Sequence, residues 1–183
     1  VSGSDLMRLV AEDLGREVLE KPVGFKYIAE EMLLREVLIG GEESGGIGFG
    51  HHLPERDALF TAILLLEAIV ADGMCLGEKI ASLQARFGKS HFERIDLTLE
   101  NMEIRRKLEN FLKQKTPYSI GHKMVLQVIK TDGIKLVLDK SHWLMFRFSG
   151  TEPLLRIYCE APSVKEVNST LYYAKQLIES NFG

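Results

Sequence analysis

The chain has 183 residues, 45% of them hydrophobic and 27% charged, enough to bury a core in one domain or two small ones and unlike a disordered segment. Its formal net charge of -3 and isoelectric point near 6.0 argue against a nucleic-acid partner, which needs a basic surface that sheds counterions, while leaving room for a local basic pocket. Two cysteines, Cys75 and Cys159, stand far apart without ligand-like spacing, so no disulfide scaffold or zinc site is predicted and the expected compartment is the reducing cytoplasm.

The first residue is Val1 and no signal-like segment follows it, so a piece of a longer protein is expected. Asp5 to Gly15 spaces Leu6, Leu9, Val10 and Leu14 for a short amphipathic helix behind a Ser2-Gly3-Ser4-Asp5 cap. A strand is expected before it. Glu17 to Leu19 is a short strand candidate, Lys21 to Lys26 a turn, and Tyr27 to Arg35 a helix. Val37 to Ile39 is an apolar run that stops at Gly40 and Gly41, as a buried strand does when it hands over to a loop. Glu55 to Ala71 follows as a long apolar helix. Its run from Leu59 to Ala71, interrupted by Glu67, is shorter than the roughly 20 residues needed to cross a bilayer, so it is predicted to be buried in protein and no membrane partner is expected. Alternating strands and helices predict a parallel sheet covered by helices.

Leu76 to Phe87 and Met102 to Lys115 have helical periodicity, separated by a segment in which Ile95, Leu97 and Leu99 alternate with polar residues. From Tyr118 the pattern changes. Met124 to Ile129, Ile134 to Leu138, Trp143 to Phe148 and Leu154 to Cys159 are successive strand candidates, with Thr131-Asp132-Gly133 as a tight turn between the first two. Val164 to Ser180 closes the chain as an amphipathic helix capped by Ser163. Strands followed by one helix predict a small α+β domain.

Two loops carry chemistry. Arg147-Phe148-Ser149-Gly150-Thr151-Glu152-Pro153 sits between two apolar strand candidates. Backbone N–H groups around Gly150 can form an anion-binding concavity, Ser149 and Thr151 can donate hydroxyl hydrogen bonds, and the planar fork of Arg147 can bind two phosphate oxygens. The same composition also suits a plain turn with Arg147 on a solvated face. Gly40-Gly41-Glu42-Glu43-Ser44-Gly45-Gly46 is the second. A carboxylate there can accept hydrogen bonds from neighbouring sugar hydroxyls and a serine can add another, or the loop is a glycine-rich turn with solvated glutamates. The glycines that follow do not fit G-x-G-x-x-G, which excludes a dinucleotide site. The adjacent His51 and His52 have no second cluster and are not read as metal ligands.

Arg-x-Ser-Gly-Thr-Glu-Pro between two strands resembles the phosphate-binding loop in the last domain of the α-D-phosphohexomutases. Gly-Glu-Glu-Ser-Gly resembles the sugar-recognition loop of their third domain, and Gly24-Phe25-Lys26 the Gly-x-Lys segment of that same domain. The resemblance covers the whole chain and implies the C-terminal half of a phosphoglucomutase/phosphomannomutase. The implied fold is α/β plus α+β: an α/β/α parallel-sheet domain lacking its first strand (residues 1–75), a connector (76–115), and a small domain with a four-stranded antiparallel sheet, TATA-box-binding-protein-like (116–183).

The implied sugar-binding residues are Glu42, Ser44 and Lys26; the implied phosphate-binding residues are Arg147, Ser149, Gly150 and Thr151. Glu43 occupies a variable position, and some relatives have histidine where this chain has Gly46. Arg156 adds charge nearby or pairs across strands, and Arg56 and Asp57 form an ion pair or cap at the start of the long helix. The implied reaction interconverts hexose 1-phosphate and hexose 6-phosphate through a phosphoserine and a hexose 1,6-bisphosphate intermediate, with Mg²⁺ at the transferring group. The serine loop and the Asp-Gly-Asp metal loop belong to the first two domains and do not occur here. No catalytic or metal residue is therefore expected in this chain, its partners are hexose phosphate and the enzyme's N-terminal domains, and alone it should be inactive. A phosphoglucosamine mutase fragment and a non-catalytic sugar-phosphate-binding module are the alternatives.

Overall fold

The computed structural model describes residues 1–182 and divides into two units at Gly88 and Lys89. The break falls inside the stretch 76–115 predicted as a connector, so its first helix belongs to the first unit and its strand and second helix to the second.

In the first unit the predicted N-terminal helix forms as α1 (Asp5–Asp13), with the Ser4 hydroxyl accepting the Leu6 N–H at 3.1 Å. Glu17 to Leu19 forms no strand: three exposed residues between Arg16 and Glu20 bury too little to offset the entropy of ordering them. The helix α2 (Phe25–Leu34) leads into β1 (Ile39–Gly41), which pairs with β2 (Ile47–Phe49) in the register Ile39↔Phe49, Gly40↔Gly48, Gly41↔Ile47. This pair is antiparallel, whereas the alternation of elements predicts a parallel sheet. The reason is the connection: a short turn can only reverse the chain, and a parallel pair needs a crossover between two strands. With Glu17 to Leu19 unformed, α2 has no strand before it to cross from.

Asp57 caps α3 (Ala58–Asp72), its Oδ1 accepting the Phe60 N–H at 2.8 Å, and α4 (Leu76–Phe87) completes the unit. Only Ser2, Phe25 and Gly48 are buried among its described residues. The apolar helix predicted to be buried is instead open, with Leu59 and Val70 each 80% exposed. A helix apolar on all sides needs cover on all sides, and the three-residue strands of this unit are too short to supply it. No single helix among the described residues is long and apolar enough to cross a membrane.

The second unit is a five-stranded antiparallel sheet with one face covered by helices. After β3 (His91–Thr98) and α5 (Met102–Gln114), a small two-stranded ribbon forms from β4 (Ser119–Ile120) and β5 (Lys123–Met124). Then come β6 (Gln127–Ile129), β7 (Ile134–Asp139), β8 (His142–Phe148), β9 (Leu154–Ala161) and α6 (Val164–Phe182). The sheet order is β3-β9-β8-β7-β6. The sequence predicts four strands; β3 is the fifth, paired with β9 from His91↔Ala161 to Thr98↔Leu154. It joins because Ile95, Leu97 and the following Leu99 pack against the core, and their alternation suits a strand buried on one face. The predicted Met124 to Ile129 strand is split, as β5 pairs with β4 while Leu126 N–H reaches the Val137 carbonyl at 2.8 Å and β6 pairs with β7.

Leu108 and Leu112 of α5 and Leu171, Ala174 and Ile178 of α6 close over Leu136, Leu144, Phe146, Leu155 and Ile157. Each fully buried leucine contributes about 1.5–3 kcal/mol. Ser163 starts α6 as its cap, accepting the Glu166 N–H at 3.2 Å and donating its hydroxyl to the Glu166 carboxylate at 2.9 Å. Under α6 the imidazole of His142 is buried, its Nε2 2.8 Å from the Thr170 hydroxyl and its Nδ1 without a hydrogen-bond partner. The predicted Thr131-Asp132-Gly133 turn joins β6 to β7 with Gly133 at φ +84°, where its missing Cβ leaves room for the Phe146 carbonyl.

Candidate functional site

Alternation along β8 sends Phe146 and Phe148 into the core and Arg147 to the opposite face. There Arg147 Nε donates to Asp132 Oδ2 at 2.9 Å. Burial works against the Arg147 charge, but the hydrogen bond and charge of Asp132, with a smaller contribution from Tyr158, raise its pKa overall. Arg156 stands directly across from it on β9. Like charges in opposed positions repel, and here each has a carboxylate near it: Arg156 Nε lies 3.8 Å from Asp96, which Arg94 also meets at 3.1 Å. That Nε is buried without a hydrogen-bond acceptor. The sequence leaves Arg156 between added charge and cross-strand pairing; the structure gives it a cross-strand ion pair.

Between β8 and β9 the turn is closed by the Ser149 N–H donating to the Leu154 carbonyl at 2.9 Å. Ser149 Oγ accepts from the amides of Thr151 at 3.4 Å and Glu152 at 3.2 Å, so two amides expected to face an anion are engaged inside the turn. The Gly150 amide and the Thr151 hydroxyl have no partner among the described residues, and nothing lies within 4 Å of where a Gly150 Cβ would sit. From behind, Arg105 Nε donates to the Ser149 carbonyl at 2.8 Å. The structure therefore brings Arg147, Ser149, Gly150 and Thr151 together in one strand end and its turn, beside Asp132, Arg156 and Arg105.

In the first unit Glu42 and Ser44 share the β1–β2 turn, which is held by the Glu42 N–H donating to the Gly46 carbonyl at 2.9 Å. Ser44 is exposed at its tip. The Glu42 carboxylate, 12% exposed, is 3.4 Å from Arg56 Nη1, and the Arg56 guanidinium lies 5.5 Å over the Phe25 ring. Gly46 matters for space: a Cβ there would come within 2.5 Å of Arg56 Cδ and 3.1 Å of Glu42 Oε2. Lys26 lies in the first turn of α2, exposed, with Nζ 4.7 Å from the Tyr27 ring. No hydrogen bond or ion pair joins it to Glu42 or Ser44 among the described residues. Asp57 caps its helix as expected, and His52 Nε2 lies 2.9 Å from Asp57 Oδ2 with its ring stacked on Phe60. The Phe60 amide, then His52, hold the Asp57 carboxyl below its ordinary value.

The family model described as "Phosphoglucomutase/phosphomannomutase, alpha/beta/alpha domain III" matches residues 1–87, and that of the "Phosphoglucomutase/phosphomannomutase, C-terminal domain" matches residues 77–171. The chain belongs to the phosphoglucomutase/phosphomannomutase family. It is 29% identical over 182 residues to a phosphoglucomutase/phosphomannomutase of Thermococcus kodakarensis, covering 98% of this chain and 37% of that protein. It is 32% identical to a phosphoglucosamine mutase of Carboxydothermus hydrogenoformans, covering 82% of this chain and 29% of the relative. A solved structure assigned as a phosphomannomutase from Thermus thermophilus superposes with a TM-score of 0.77 at 34% identity, over 97% of this chain and 35% of that one. The chain thus spans about a third of the length of the curated relatives it matches. The family match also bears out the α/β domain followed by a domain with an antiparallel sheet.

Proposed function

We propose that this chain is the substrate-recognising C-terminal portion of a cytoplasmic phosphohexomutase that interconverts hexose 1-phosphate and hexose 6-phosphate through a phosphoserine and a hexose 1,6-bisphosphate. The observation that supports the reading is the turn at Ser149, which carries a charged fork at Arg147, two hydroxyls and a Gly150 amide without a partner among the described residues, the donor types an anion requires. In this reading Arg147, Ser149, Gly150 and Thr151 hold the phosphate that is not transferred. Glu42 and Ser44 accept and donate hydrogen bonds to sugar hydroxyls, and Lys26 adds charge toward the sugar phosphate.

Among the described residues no three His, Cys, Asp or Glu side chains are grouped to hold a metal ion. The nucleophilic serine and the metal are assigned to the N-terminal domains, and the chain alone should not turn over substrate. A second reading, phosphoglucosamine mutase, is favoured by the several relatives of that name. Assays of the full-length enzyme on glucose, mannose and glucosamine 1-phosphates separate the two.

The test of the site is calorimetric and ³¹P NMR titration of this chain with inorganic phosphate and with glucose 1-phosphate. Both should bind, and Arg147→Ala should weaken both by at least about tenfold, the loss of one charged contact of roughly 1.5 kcal/mol. Unchanged binding in Arg147→Ala would overturn the reading of this turn as the phosphate site.

A further inference from the structure

On the reading of the Ser149 turn as a phosphate site, the geometry points to Arg105 as its positioning residue: Arg105 fixes the Ser149–Gly150 peptide so that the Gly150 N–H is presented to the phosphate. Arg105 lies one turn into α5, a helix capped by Asn101, whose Oδ1 accepts the Glu103 and Ile104 amides. Its side chain is 13% exposed and has three restraints. Nε donates to the Ser149 carbonyl at 2.8 Å, Nη1 donates to Glu109 Oε2 at 2.7 Å, and the guanidinium lies 5.5 Å from the Phe148 ring. Glu109 is held in turn by Lys113 at 2.8 Å. Only a planar fork can meet a carbonyl and a carboxylate at once while stacking on a ring.

The Ser149 carbonyl and the Gly150 N–H belong to one peptide group. That group is planar, the chain contains no cis peptide bond among its described residues, and in a trans peptide the C=O and N–H point in opposite directions. Clamping the carbonyl against Arg105 therefore turns the Gly150 N–H away from α5, at an exposed residue whose amide has no partner among the described residues. A cation on the carbonyl oxygen also polarises the peptide and strengthens its N–H as a donor. Gly150, with no side chain to hinder rotation of its flanking peptide, is the residue that most needs such a clamp.

The experiment is titration of this chain with inorganic phosphate, followed by calorimetry and by the Gly150 amide signal in ¹⁵N-edited NMR, for wild type, Arg105→Ala, Arg105→Lys, Glu109→Gln and Arg147→Ala. Arg105→Ala should bind phosphate about tenfold more weakly, with the phosphate-induced Gly150 shift lost even near saturation; Arg105→Lys should recover part of both. Glu109→Gln, which keeps Arg105 but loosens it, should give an intermediate loss and serves should Arg105→Ala not fold. A purely structural Arg105 would lower the melting temperature and leave the phosphate affinity and the Gly150 shift of the folded variants within about twofold of wild type; that outcome overturns the inference. If Arg147→Ala binds phosphate as wild type does, the phosphate reading itself fails, whatever Arg105 does.

Discussion

Gly133→Ala tests whether the turn before β7 packs against the β8 backbone as closely as its geometry requires. At φ +84° an alanine is held in the left-handed region, at a cost of about 1–2 kcal/mol. Its Cβ would also lie 2.3 Å from the Phe146 carbonyl oxygen and 3.1 Å from Arg147 Cα. Both are backbone atoms of a central strand and cannot turn aside, so overpacking adds about 1–3 kcal/mol. Restricting the unfolded chain returns about 0.4–1 kcal/mol, leaving a net loss of about 1–4.6 kcal/mol, centred on about 3 kcal/mol. For a domain of 60–100 residues each kcal/mol shifts the melting point by about 4–8 °C, so a fall of about 10 °C or more is expected. Trp143, the single tryptophan, is buried in this unit, and its fluorescence reports the unit's melting. A variant that melts within about 2 °C of wild type would refute the reasoning.

Two further outcomes are expected. Burial holds the His142 imidazole below its ordinary value of 6.5, with Lys123 and His122 pushing the same way and Glu166 and Asp139 opposing. The unfolded chain then takes the proton first, so stability is fully present above the unfolded value and is lost as pH falls below about 6.5. Urea midpoints read from Trp143 should drop between about pH 7 and 5.5, and His142→Asn should flatten that slope; a flat wild-type profile would contradict the account. Burial also pushes the Cys159 thiol up to about 12, while Cys75 is exposed. A thiol reagent should consume a single equivalent from the native chain, at Cys75, and rapid labelling of Cys159 without unfolding would show the core to be looser than described.

What the sequence makes legible is local. β7, β8, β9 and α6 follow from alternation and periodicity, and the anion turn from five contiguous residues whose donors cluster without help from the fold. Relations between distant segments are not legible. Whether an alternating stretch becomes a strand depends on a partner: the segment around Ile95 finds β9, and Glu17 to Leu19 finds none. Asp132 is 15 residues from Arg147, and Arg105 is 44 from Ser149. Nothing in the local pattern of α5 separates Arg105 from an ordinary i,i+4 partner of Glu109. Arg56 reads in the sequence as part of a helix start, and only the close approach permitted by Gly46 shows it reaching Glu42.

The two units differ in how much they bury, and that difference bears on how each candidate turn could meet a ligand. The Ser149 turn is fastened to a sheet whose central residues are inaccessible to solvent, so it can meet a ligand already in shape and contribute most of its gross contact energy to affinity. The β1–β2 turn rests on a unit with almost no interior of its own, where local opening is cheap, and part of any contact made by Glu42 or Ser44 is spent on ordering the loop. On the proposed reading, the Ser149 turn would be a rigid handle for phosphate and the β1–β2 turn an adjustable one for sugar hydroxyls.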